Sequence, residues 1–174
     1  MEKISIIGPS GSGKSYLAKQ LGEILGLPVI HLDRHFWQPN WGKPDRTEFQ
    51  QRIIKMLGNK WIVDGTHILC TDLLEYRFKH ADMTIYLNIP LDECIRHVTE
   101  RSKEKVRDDI PDFLHETPET FDKLIEHIKV KCATFQKTFY EYRDKYANGK
   151  FLEFTTREQV DNFLRFCYNT QSPR

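Results

Sequence analysis

Gly8-Pro9-Ser10-Gly11-Ser12-Gly13-Lys14-Ser15 decides the reading of this chain. The octet fits G-x-x-x-x-G-K-[ST] at every fixed position. Such a loop needs glycine because its backbone curls round an anion with successive N–H groups pointing inward. A side chain there blocks the approach or disfavours the required φ. At ordinary residue frequencies the fixed positions coincide by chance in roughly one chain in 200 of this length. The flanks therefore carry the assignment. Upstream, Lys3-Ile-Ser-Ile-Ile7 is an apolar run that stops at Gly8. Downstream, Tyr16, Leu17, Leu21, Ile24 and Leu25 recur at helical spacing. Strand, glycine-rich loop and helix form the context of a phosphate-binding P-loop.

The remaining chain alternates in the same way. Pro28–Leu32, Trp61–Val63, Met83–Ile89 and Phe151–Phe154 read as strands. Helices are predicted over Thr47–Leu57, with Thr47 as N-cap, and over Asp72–His80, Leu91–Lys103 and Arg157–Cys167. Residues 34–46, with two prolines and two tryptophans, read as a structured loop. Thr117-Pro118 starts a stripe of Phe121, Leu124, Ile125, Ile128, Cys132, Phe135, Phe139 and Tyr142, as one long helix or two in sequence. The pattern predicts one α/β domain over residues 1–174, three-layer α/β/α, with a parallel sheet covered on both faces. It leaves the strand order open.

Composition narrows the function. The 174 residues carry 26 Lys+Arg against 25 Asp+Glu, a net charge of +1. That balance argues against a generic nucleic-acid binder, whose affinity comes from uncompensated cations. Apolar runs are far short of a membrane span, and the N-terminus lacks a signal-peptide stretch. Cys70, Cys94, Cys132 and Cys167 show no zinc spacing, which predicts reduced thiols in a cytoplasmic protein.

Within the loop, residues Gly8 to Tyr16 are expected to wrap ATP. Lys14 reaches the β- and γ-phosphates, Ser15 holds Mg²⁺, and the helix dipole adds to the attraction. The N/T-K-x-D base-reading motif of GTPases is absent from the sequence. A small kinase needs in addition an acceptor site, a magnesium-organising carboxylate and arginines over the phosphates.

Further motifs supply such residues. They are His31-Leu-Asp-Arg34 with Phe36, Trp37 and Trp41, then Trp61-Ile-Val-Asp-Gly65, Arg77, Ala81-Asp82, and Arg96 and Arg101. Together with the P-loop they resemble the bacterial DNA topology modulation protein family of adenylate-kinase-like P-loop proteins. That resemblance implies a five-stranded P-loop NTPase sheet in order 2-3-1-4-5 and a helical lid at about residues 101–119. Two departures stand out. Thr66-His67 replaces the family's Asn-Tyr, and the lid pattern survives only at Arg107 and Asp109.

By the same resemblance, Asp33 orients or deprotonates the acceptor hydroxyl and Asp64 binds Mg²⁺ through water. Gly65 lets substrate approach the backbone. Arg101 and Arg107 are expected on the transferring phosphoryl group, where guanidinium forks match its charge. Phe36, Trp37, His67 and Arg77 are candidate acceptor contacts. Phe36 and Trp37 read equally well as the loop's own core, and Arg77 as a structural ion pair. The expectation is an ATP- and Mg²⁺-dependent small-molecule kinase, monomer or homodimer. The alternative is an ATP-binding regulatory protein that affects DNA topology and hydrolyses ATP weakly.

Overall fold

The computed structural model describes residues 1–66, 70–102, 111, 114 and 117–171. Strands β1 (Lys3–Ile7), β2 (Val29–His31), β3 (Trp61–Asp64), β4 (Met83–Leu87) and β5 (Lys150–Phe154) pair in parallel. Their order is β2-β3-β1-β4-β5, as the family resemblance implied. β1 lies at the centre with both faces covered, which explains a run that is apolar without alternation.

Seven helices are described: α1 (Lys14–Leu25), α2 (Leu32–Phe36), α3 (Arg46–Met56), α4 (Thr71–His80), α5 (Leu91–Arg101), α6 (Pro118–Tyr146) and α7 (Arg157–Gln171). Ile4, Ile6, Ile85 and Leu87 pack with Leu17 and Leu21 of α1 and Val160 and Leu164 of α7. On the opposite face Ile7 and Tyr86 meet Leu74 and Phe78 of α4 and Phe135 and Phe139 of α6. Leu32, Phe49, Ile53, Trp61 and Leu73 close the β2 edge beneath α3. The two-residue period of each strand thus feeds two separate helix layers. Among the described residues, no helix is long and apolar enough to cross a membrane.

Several boundaries differ from expectation. β2 ends at His31, and Leu32–Phe36 turns helical because Leu32 is drawn fully into the edge cluster. Asp33 therefore sits in a first helical turn. The proline-rich stretch contains a tight turn over Pro39–Trp41, bridged between Gln38 and Gly42. Asn40 and Trp41 both have φ 58° there. α3 is capped by Asp45, not Thr47; its carboxylate accepts from the Glu48 N–H at 3.0 Å. Asp45 and Glu48 together make the stronger start signal.

The stripe after Thr117 is a single helix of 29 residues, and Thr117 caps it through a reciprocal pair with Thr120. α7 extends past Cys167 to Gln171. Most of the expected lid, residues 103–110, 112–113 and 115–116, lies outside the described residues.

α4 owes its start to a distant side chain. Its N-cap position, Cys70, offers no side-chain cap. Gln50 of α3 does so instead: its Oε1 accepts from the N–H groups of Asp72 at 2.8 Å and Leu73 at 3.2 Å. Gln50 is buried, and its bond to the Leu73 N–H is shielded from water. Gln50→Met is expected to lower unfolding free energy by about 2 kcal/mol, measured by urea denaturation. An unchanged midpoint would show that the cap contributes nothing.

Candidate active site

The P-loop leaves β1 at Gly8 and enters α1 at Lys14, at the carboxyl edge of the sheet where open α/β folds bind ligands. Its glycines answer specific contacts. A Cβ on Gly8 would lie 2.7 Å from the Leu87 carbonyl oxygen and 2.8 Å from Ser12 Oγ. Gly11 has φ 82° and rests against the backbone of Cys94 in α5. Gly13 has φ 91° and would place a Cβ 3.0 Å from Arg157 Nη1. Gly13 is also the N-cap of α1 and supplies no side-chain cap, an arrangement suited to an anion at the helix start. Ser12 Oγ is buried with no partner among the described residues. Tyr16 is half exposed beside the loop.

Lys14 Nζ donates to the Pro9 carbonyl at 2.8 Å, bridging the loop that precedes it. Burial pushes its pKa down. The carboxylates of Asp33 and Asp64 oppose that shift, and the Arg101 guanidinium adds to it. Three sequence-chosen residues, from α2, β3 and α5, thus act electrostatically on the lysine at the end of the P-loop.

Asp64 ends β3 in register with Ile6 of β1 and His31 of β2. It is buried, and its Oδ1 lies 2.8 Å from His31 Nδ1. The sequence motif around His31 gave no sign of this pair. The register that puts His31 opposite Asp64 is a property of the sheet, not of either segment.

The step after Asp64 is also built closely. Gly65 has φ 123°, and a Cβ there would meet Leu32 Cβ at 2.8 Å. The Thr66 hydroxyl donates to the Gly8 carbonyl, and the Gly8 N–H points back at Thr66 Oγ1 at 3.4 Å. Thr66, a departure from the resembled family, therefore ties this step to the start of the P-loop.

Arg77 is not an acceptor contact in this arrangement. It is fully buried, and its guanidinium donates to the carbonyls of Gly65, Ile6 and Val63 at 2.7, 3.0 and 3.1 Å and to Ser5 Oγ at 3.0 Å. Burial pushes its pKa to about 10, with Asp64 acting in the opposite direction, so it stays charged at neutral pH. It is a strut joining the ends of β1 and β3.

Phe36 and Trp37 are 5.1 Å apart edge to face. Phe36 continues to Phe49 at 5.1 Å, and Trp37 to Trp41 at 5.3 Å. The aromatic group is the core of its own loop, anchored on α3. Arg96 is exposed on α5. His67 and Arg107 lie outside the described residues. His97 and Arg157, which no motif pointed to, lie against the P-loop.

No family model matches the chain. A shikimate kinase of Clostridium botulinum (strain Loch Maree / Type A3) is 28% identical over 132 residues, covering 67% of this chain and 78% of that protein. Another, from strain ATCC 19397 / Type A, is 29% identical over 114 residues, 58% and 67% of the two chains. Among solved structures, shikimate kinase from Acinetobacter baumannii in complex with shikimate matches with TM-score 0.53 at 14% identity, over 99% and 96% of the chains. That of Bacteroides thetaiotaomicron matches with TM-score 0.53 at 19% identity, over 97% of each chain. The chain has the fold of the P-loop kinases.

Two outcomes follow from this geometry. A depressed lysine pKa means the charged form is disfavoured in the folded state. The penalty is present at neutral pH and is relieved as pH rises through the folded-state value toward the free-lysine value. Lys14→Met is therefore expected to keep or raise the thermal midpoint at neutral pH and to lose this alkaline gain. A clear fall in midpoint at pH 7 would contradict it. Arg77→Ala abandons several buried carbonyls and is expected to cost at least about 3 kcal/mol. Arg77→Lys should recover little, because an ammonium lacks the fork. Chemical denaturation of the three proteins measures both.

Proposed function

We propose that this protein is an ATP-dependent kinase that phosphorylates a hydroxyl of a small molecule. The observation that carries the reading is a P-loop at the carboxyl edge of the sheet whose Lys14 feels the charges of Asp33, Asp64 and Arg101. Kinase relatives and a P-loop kinase fold support it.

The residues present fit ATP and Mg²⁺. Gly11 and Gly13 hold conformations that favour a backbone cradle, and the buried Ser12 hydroxyl adds a polar group to it. Ser15 and Asp64 would supply the oxygen donors that suit a hard cation keeping several waters. When bound, ATP supplies the phosphoryl group and Mg²⁺ neutralises its charge.

The chain's own residues do the rest. The loop amides and Lys14 hold the phosphates. His31 holds Asp64 by its hydrogen bond. Asp33 accepts the hydrogen bond of the acceptor hydroxyl and takes its proton. Arg101, with Arg107 from the lid, covers the transferring group and excludes water. Gly65, with Thr66 latched to Gly8, forms the acceptor wall. Phe36 and Trp37 shape that wall from behind, and His67 is a further candidate acceptor contact.

The acceptor is a small hydroxyl compound, a polyol, nucleoside or nucleotide. Shikimate is the first to test, because the relatives are shikimate kinases. The DNA topology modulation reading draws on motif resemblance alone, and salt-dependent DNA binding would test it. A cytoplasmic setting agrees with the free thiols of Cys70 and Cys167.

The test is phosphate transfer from ATP·Mg²⁺ across a panel of polyols, nucleosides and nucleotides. Asp33→Asn is expected to lower kcat by roughly 100-fold or more with the fold retained. Transfer by the variant at the wild-type rate would remove Asp33 from the proton step. Failure of the intact protein to bind ATP·Mg²⁺ would overturn the kinase reading.

A further inference from the structure

A P-loop that points its N–H groups inward must point carbonyls outward, and an outward carbonyl buried against protein needs a donor. The group set against the Gly11 carbonyl is His97 of α5, whose Nδ1 lies 3.1 Å from the carbonyl oxygen and donates to it only when protonated. The same Nδ1 lies 2.9 Å from Nη2 of Arg157, the first residue of α7. These two contacts make opposite demands. Gly11 needs Nδ1 protonated, whereas Arg157 has no acceptor atom and needs Nδ1 as a lone pair. A neutral imidazole satisfies one or the other.

Arg157 is poised for a second position. Its Nη1 would lie 3.0 Å from a Cβ on Gly13, the residue that opens α1. Its Nε is buried with no hydrogen-bond partner among the described residues. A guanidinium beside a phosphate-binding loop with an unused N–H is a fork without its anion.

We propose that His97 and Arg157 are a nucleotide-driven latch on the P-loop. Without donor nucleotide, Arg157 is parked on His97 Nδ1, and the Gly11 carbonyl is left without that donor. When the donor's phosphates occupy the loop, Arg157 leaves His97 for them. The imidazole then carries its proton on Nδ1 and bonds the Gly11 carbonyl, fixing the loop in its inward-facing form. The proton moves from Nε2 to Nδ1 through water, with no net gain or loss. Arg157 is then a donor-nucleotide contact and His97 a positioning residue. This rests on the kinase reading, which supplies the nucleotide.

The experiment is nitrogen NMR of [¹⁵N]histidine-labelled full-length protein at about pH 8, where free imidazoles are neutral. Spectra are recorded with and without Mg²⁺ and a non-hydrolysable ATP analogue, and His97 is assigned with His97→Gln. The expected result is a shift of His97 from the Nε2–H to the Nδ1–H tautomer on adding the analogue. In Arg157→Ala, His97 should be Nδ1–H in both spectra, with affinity for the analogue reduced about tenfold, or about 1.4 kcal/mol. Arg157→Met serves as the second variant if alanine does not fold. One tautomer in both wild-type spectra, or an Arg157 variant that binds within twofold of wild type, would overturn the latch while leaving the kinase reading intact. A wild-type protein that does not bind the analogue overturns both.

Discussion

The structure is organised around the curl of one eight-residue loop. Its amides can face an anion only if Gly11 and Gly13 hold left-handed φ values of 82° and 91°. Each turn of the curl is then pressed against a different element. Gly8 meets Leu87 at the end of β4, Gly11 meets Cys94 of α5, and Gly13 meets Arg157 of α7. Thr66, just past β3, bonds to Gly8 from the other side. The glycines therefore answer the packing outside the loop as much as an anion within it.

The cations divide by what surrounds them. Lys14 and Arg77 are both desolvated, and burial lowers the pKa of each. Lys14 stands among carboxylates and a second cation, where its charge can act on a ligand. Arg77 is consumed by carbonyls, and its fork joins β1, β3 and Gly65 into one rigid edge. A near-neutral chain can thus hold a strongly polar site, because the charges that matter are placed by the sheet rather than supplied in excess.

Much was legible along the chain. The P-loop, the alternation of strands and helices, the Thr117 cap of α6, and Asp33 and Asp64 beside the sheet edge all rest on local pattern. Thr47 failed as a cap because the helix already starts at Arg46, with Asp45, two residues earlier, accepting from the Glu48 N–H. Arg77 read as a candidate substrate contact because sequence shows a charge but not its burial. His31 sat in a motif that gave it no role, and His97 and Arg157 carried no motif. Their roles come from contacts to Asp64 and Gly11, residues 33 and 86 positions from the two histidines, and from the bond between Arg157 and His97, 60 positions apart.

By itself the sequence determined the phosphate-binding chemistry and the α/β class, since both follow from spacing within a few turns of chain. Tertiary structure decided which polar residues share a site. Strand order and register set His31 against Asp64, α3 supplied the cap of α4, and α5 and α7 brought one imidazole nitrogen between a carbonyl and a guanidinium. Those pairings are fixed by how strands and helices pack, and packing couples residues whose separation in sequence carries no signal.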